Sequence, residues 1–267
     1  IDIFWLRVTQ AYFNNGIETV TVRTHLYSET SGDVFNGKYS RDGKYIAVAG
    51  FQSNVDILNA TTFGLIIAIN TGMLAVSGVD FSYDSQQLLL AGFNYTVLVY
   101  GVPNWTVIHN ITTSTHNFFT AAFSPDGKFV VAGQYSLIAF DALGNLTYTN
   151  NSGYWLRVKS RPDSHYFLAT NMNNYFTKLG GMDLLLNFLT SLVYSCDYSS
   201  DAQFLVVGTS SANTLIYNAS SHNNTLLQNL TRTSPETMVG SKFTHDDHYI
   251  ISGDHNTGKI YEYFNFP

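Results

Sequence analysis

AAFSPDGKFVVAG, running from Ala121 to Gly133, sets two apolar β-runs on either side of a Ser124-Pro125-Asp126-Gly127 turn. Pro stands at a favoured turn position and Gly where the backbone needs freedom, so the stretch reads as a tight hairpin between strands. The same phrase returns as KYSRDGKYIAVAG from Lys38 and VDFSYDSQQLLLAG from Val79. Weaker copies follow as VKSRPDSHYFLAT from Val158, CDYSSDAQFLVVG from Cys196 and SKFTHDDHYIISG from Ser241. The turn aspartates are Asp42, Asp84, Asp126, Asp163, Asp201 and Asp246.

Their period of about 40 residues is that of propeller blades, each of four antiparallel strands a, b, c and d from the axis outward. In the third copy Phe119 to Ser124 is strand a and Lys128 to Gly133 strand b; Ser136 to Phe140 is c and Asn145 to Thr149 d. Strands c and d fall at Asn54–Leu58 and Leu65–Asn70 in the first copy, and at Thr96–Tyr100 and Thr106–Asn110 in the second. In the fifth they fall at Thr214–Tyr217 and Thr225–Leu230. Helical periodicity is absent. The expected fold is all-β, one propeller domain over 1–267, with a partial N-terminal blade over 1–33 and six copies over 34–267. The last copy stops after GKIYEYF, from Gly258, as strand c. The N-terminal runs around Ile3, Thr9 and Thr19 then make a seventh blade. Alternatively one of them completes a six-bladed ring, or is exchanged with a neighbouring molecule.

Composition narrows the function classes. Apolar residues make up 45% and aromatics 15%, but charged residues only 12%, about half the usual share. The net charge of −6 is spread without basic runs, which argues against nucleic acid as a partner. No apolar stretch reaches the ~20 residues of a membrane-spanning helix. FGLIIAINTGMLAVSGV from Phe63 and MDLLLNFLTSLVY from Met182 fall where the repeat puts an outer strand, a loop and the next inner strand. The chain begins at Ile1 with no secretory leader, which is expected of a processed form or an excised piece. The single cysteine, Cys196, excludes an intrachain disulfide and reads as a buried thiol.

The repeated turn followed by an apolar strand, a polar turn and a strand such as TVLVY resembles the WD-repeat family of β-propellers, and also YVTN-type repeats of cell-surface proteins. The likeness covers Lys38 to Phe264. It departs where the family's Gly-His and Trp-Asp pairs belong. The strand-c ends hold Leu58-Asn59, Tyr100-Gly101, Phe140-Asp141 and Tyr217-Asn218 instead. The resemblance implies a rigid interaction platform rather than an enzyme. Without the family's Asp–His–Ser–Trp network, blade cohesion is expected to rest on aromatic and aliphatic packing.

The main chemical signal is Asn-x-Ser/Thr, the N-glycosylation triplet, at Asn59, Asn94, Asn104, Asn110, Asn145, Asn150, Asn218, Asn223 and Asn229. Asn59, Asn104, Asn145, Asn218 and Asn223 map to c–d connections, and Asn110, Asn150 and Asn229 close strand d. None falls on an inner strand. Covalent N-glycans, a secretory or cell-surface location and protein partners, including self-association, are the expectation.

Thr244-His245-Asp246-Asp247-His248 invites a metal reading, but it is the sixth copy of the repeated turn. No Gly-x-Ser-x-Gly elbow, phosphate cradle or placed carboxylate pair is present, so neither catalysis nor a cofactor is expected. Trp105, inside a triplet at a c–d turn, is expected to be exposed. The expected function is a structural or interaction scaffold, with self-assembly into a surface coat or filament. Ligand binding (peptide or glycan) on the top face and an intracellular interaction scaffold are the alternatives.

Overall fold

The computed structural model describes residues 34–51, 53–113, 117–151, 153–163, 167–171, 175–179, 185–188, 193–210, 213–220, 225–231, 238–244, 247–254 and 260–263. Among them lie six antiparallel sheets in chain order and no helix. Blade one is β1 (Val34–Tyr39), β2 (Tyr45–Gly50), β3 (Asn54–Asn59) and β4 (Leu65–Asn70). Blade two is β5 (Val76–Phe81), β6 (Gln87–Gly92), β7 (Thr96–Gly101) and β8 (Thr106–Thr112). Blade three is β9 (Phe118–Phe123), β10 (Phe129–Gly133), β11 (Ser136–Phe140) and β12 (Leu146–Asn150). Blade four is β13 (Trp155–Ser160), β14 (Phe167–Asn171), β15 (Tyr175–Leu179) and β16 (Leu185–Phe188). Blade five is β17 (Val193–Tyr198), β18 (Phe204–Thr209), β19 (Asn213–Asn218) and β20 (Thr225–Thr231). Blade six is β21 (Met238–Phe243), β22 (Ile250–Asp254) and β23 (Ile260–Tyr263).

The expected strands agree with these to within one or two residues. The choice between seven blades and six turns on 1–33, which lies outside the described residues.

The second strand of blades one to five is largely apolar without alternation because both of its faces are buried, whereas Ile251 of β22 in blade six is exposed. Leu88 and Leu90 of β6 join the core shared with blade one, which includes Ile57, Val79 and Phe81. Leu89 and Ala91 of the same strand join Phe118, Phe123, Phe129 and Val131 in the core shared with blade three. Ala122, Val130 and Leu137 meet Trp155 and Phe167 between blades three and four. Cys196 is buried in a core that Leu168 of blade four and Val207 of blade five also share. Burial pushes the Cys196 thiol up to about 12, against the pull of Lys159, so it stays an inert apolar group.

The repeated turn is a hydrogen-bond cage. Ser82 Oγ donates to Asp84 Oδ1 at 2.6 Å and accepts from the Gln87 amide at 2.9 Å, while Asp84 Oδ1 accepts from the Gln86 amide at 2.9 Å. Ser40–Asp42 and Ser199–Asp201 repeat it at 2.7 and 2.6 Å, and Ser124 donates to Asp126. In blade four Arg161 stands where the serine belongs and pairs with Asp163 at 2.9 Å. Asp246 lies outside the described residues.

A close approach explains the glycine ending the second strand. A Cβ on Gly92 would sit 2.1 Å from the Ala75 carbonyl oxygen, and one on Gly133 would sit 2.1 Å from that of Asn117.

Blade cohesion is more polar than the sequence suggests. Polar groups on the inner strands clip each blade to the next. Asn36 Nδ2 donates to the Ser77 carbonyl at 3.0 Å, Ser77 Oγ to that of Phe118 at 2.7 Å, and the Ser241 amide to Ser195 Oγ at 2.8 Å. Trp105 corrects the expectation of exposure. It is partly buried against the first core and meets Tyr45 edge to face at 5.3 Å, because the c–d turn of blade two folds onto blade one.

Candidate functional site

One position recurs at the axis, two residues before the turn serine. The inner strands place Lys38, Asp80, Ala122, Lys159, Asp197 and Lys242 there, all opposite equivalent residues of their neighbouring strands. A β-strand sends alternate side chains to opposite faces, so one level of the axial channel collects this column. Asp80 is buried. It accepts the Phe123 amide of blade three at 2.9 Å on Oδ2 and pairs with Lys38 of blade one at 3.4 Å on Oδ1. Asp197 repeats the arrangement, with the Phe243 amide at 3.3 Å and Lys159 at 2.8 Å. Each aspartate thus joins three consecutive blades.

Two carboxylates face three lysines at this level. Lys242 remains solvent-exposed, and no carboxylate lies within ion-pair distance of it among the described residues. Its pKa falls from 10.5 to about 8: the Lys38 charge is the largest cause, then burial and Lys159, with Asp197 and Asp80 opposing. Asp80 pulls Lys38 upward, but burial, Lys159 and Arg41 outweigh it and leave that ammonium below the ordinary lysine value. Burial opposes the charge on Lys159, yet the Asp197 pair prevails and raises it.

Arg157 lies two residues before Lys159 on β13, about 7 Å nearer one mouth. It is exposed, and Nη1 donates to the neutral Leu156 carbonyl at 2.8 Å. Burial of its stem pulls the guanidinium down from its ordinary value.

The two mouths differ. On the face of the d–a and b–c connections a cavity of about 460 Å³ is lined by Asn36, Phe93, Phe119, Thr120, Tyr154 and Arg157, among others. An aromatic arc crosses it. Phe51 meets Phe93 at 6.3 Å, Phe93 meets Phe119 at 6.1 Å, Phe119 meets Tyr154 at 5.3 Å and Tyr154 meets Tyr135 at 6.3 Å. Phe51 and Tyr135, at its ends, are 56% and 49% exposed, which makes the arc an available surface rather than core. At the turn-side mouth Tyr83 reaches from blade two towards blade four. Its hydroxyl lies 3.4 Å from Ser160 Oγ, and the Arg41 guanidinium stacks 4.0 Å over its ring. A smaller recess of about 320 Å³ lies there, touching Arg41 and Lys159.

Seven of the nine triplet asparagines lie in or beside the outer strands and their c–d connections. Asn59 ends β3, Asn104 lies in the turn before β8, Asn145 precedes β12 and Asn218 ends β19. Asn150 ends β12, whereas Asn110 and Asn229 sit inside β8 and β20, which run two residues and one residue further than expected. Asn94 differs from these, standing exposed at φ +79° in the b–c turn beside Phe93. Asn223 lies outside the described residues. The outer strands carry exposed Leu65, Ile66 and Ile67 on β4, Val107 and Ile108 on β8, and Leu146 on β12.

Of the suspected His/Asp cluster, Asp247 accepts from the Ser200 amide at 2.7 Å as a blade-to-blade clip, and His245 and Asp246 lie outside the described residues. No group of three or more His, Cys, Asp or Glu able to hold a metal occurs among the described residues. Among them no helix is long and apolar enough to cross a membrane.

The axial ring and the aromatic arc were missed in the sequence, although a signal existed. Aligning the copies on their turns exposes a column that is charged in five copies of six, and an aromatic shortly after each of the glycines Gly50, Gly92 and Gly133.

No family model matches the chain, and no curated protein does. Among solved structures the chain is similar to the Myceliophteria thermophila Cps50 (Swd1) β-propeller domain. The TM-score is 0.76 at 11% identity, over 88% of this chain and 83% of that one. With its phased turns, its consecutive antiparallel sheets and that likeness of fold, the chain folds as a β-propeller.

Proposed function

We propose that this propeller is a non-catalytic, N-glycosylated interaction scaffold of the cell surface or extracellular space, which assembles with copies of itself into a coat or filament. The observation that carries the reading is the rim. Apolar side chains lie bare along the outer strands, the chain has few charges, and triplets stand at the ends of those same strands or within them. Hydrophilic sugars there would cover surface that otherwise drives edge-to-edge association. In this reading a strand donated by a neighbouring molecule pairs with β23, the last of the three strands that blade six carries among the described residues. Intact-mass measurement of protein from its native source, before and after enzymatic removal of N-glycans, tests the first part. Hexose-ladder masses that vanish on treatment are expected. An unmodified mass overturns it in favour of an intracellular scaffold. Electron microscopy of the same material tests assembly, and a monodisperse monomer refutes it.

A second reading, ligand binding on the aromatic face, is favoured by the cavity and the arc of rings that borders it.

A further inference from the structure

The chain carries a net charge of −6, yet five of its thirteen basic residues gather at the axis: Lys38, Arg41, Arg157, Lys159 and Lys242. The two aspartates of the ring neutralise Lys38 and Lys159. Lys242 and Arg157 keep their charge without a carboxylate partner among the described residues, one within the channel and the other at its aromatic mouth. Like charges held together in a partly enclosed space repel, and this costs the fold stability. An arriving anion would remove that cost.

The channel also has a direction. Tyr83 and Arg41 narrow the turn-side mouth, whereas the other mouth opens beneath the aromatic arc. An acidic side chain entering at that mouth would meet Arg157 in the lining of the cavity, with its backbone lying across the rings outside. The arc runs over blades one to four, which suits several apolar side chains of one extended segment rather than a single compact ligand.

We propose that the aromatic face binds an extended acidic peptide segment of a partner protein. A carboxylate of the segment enters the axial well toward Arg157 and Lys242, and flanking apolar side chains lie on Phe51, Phe93, Phe119 and Tyr135. This rests on the second reading above and names its ligand. Asn36 and Thr120, which line the same cavity, supply polar groups for the peptide backbone.

The test uses secreted, glycosylated protein panned against a phage-displayed random heptapeptide library. Enriched sequences are expected to share an acidic residue between apolar ones. In fluorescence polarisation with the best synthetic peptide, Glu→Gln or Asp→Asn in the peptide, and Lys242→Gln or Arg157→Gln in the protein, each weaken binding about tenfold or more, the scale of a charge-assisted contact. Affinity of the unaltered protein falls with added salt, which needs no variant to fold. Acid-free peptides, or acidic ones indifferent to the Lys242→Gln/Arg157→Gln double variant, overturn the proposal. If such peptides still lose affinity on Phe93→Ser, the aromatic face stands as a binding face and only the carboxylate fails. No enrichment, or binding of sulfated glycans in place of peptides on an array, refutes the peptide and, where Phe93→Ser changes nothing, the face as well.

Discussion

Replacing Lys242 with Gln should make this protein more stable. In the folded chain Lys38 and Lys159 crowd Lys242, and its pKa drops from 10.5 to about 8. Taken at face value that displacement is worth roughly 3 kcal/mol against the charged native form. Lys242 is exposed to channel water, however, and solvent screening cuts the figure to about 1 kcal/mol. The sign follows from proton binding. Below about pH 8 both states hold the proton and the penalty is fully present. Between about 8 and 10.5 Lys242 holds more proton in the unfolded chain than in the native one, so the penalty it imposes is relieved as pH rises. The advantage of Lys242→Gln is therefore largest at neutral pH and fades to nothing above pH 10.5. Urea unfolding of both proteins from pH 6 to 11 measures it, and near neutrality the variant should melt about 2–4 °C higher. A less stable variant, or a gain unchanged across that range, would refute the view that Lys242 is held against repulsion. Stability gained while acidic-peptide binding is lost would mark a residue kept for function at the expense of the fold.

Asp80→Ala should cost about 3–5 kcal/mol in urea unfolding, since it strands the half-buried Lys38 and the Phe123 amide together. Asp80→Asn, which can still accept that amide, should cost less. Gly133→Ala places a methyl against the Asn117 carbonyl and should lower stability by about 1–3 kcal/mol, visible as a lower melting temperature with an unchanged urea m-value. Ser82→Ala empties the turn cage of blade two and should cost about 1–2 kcal/mol, whereas Thr113→Ala, whose hydroxyl donates to one exposed carbonyl, should fall within about 0.5 kcal/mol.

Much of the architecture was legible because the chain states it six times. A strand such as Leu88–Leu90, apolar on both faces, cannot belong to a surface sheet, and the Ser/Asp turn that precedes it fixes the register. Trp105 was misread because a c–d turn is exposed in isolation and becomes covered only when the neighbouring blade supplies Tyr45. The clips made by Asn36, Ser77 and Ser195 were invisible for the same reason. Each bonds the next blade, some 41 to 46 residues along the chain.

By itself the sequence determined the repeat, the strand order within each blade, the turn chemistry and the outward placement of most glycosylation triplets. These depend on local hydrogen bonds and two-residue alternation, which act over a few neighbours. Tertiary structure decided which charges meet. Lys38, Asp80, Lys159, Asp197 and Lys242 are separated by about one blade or more of chain, and nothing local links them. Only the arrangement of the blades about one axis brings five separate strands to the same level. There Coulomb forces act through space, two of the three lysines find a carboxylate, and Lys242 is left with its charge facing the channel.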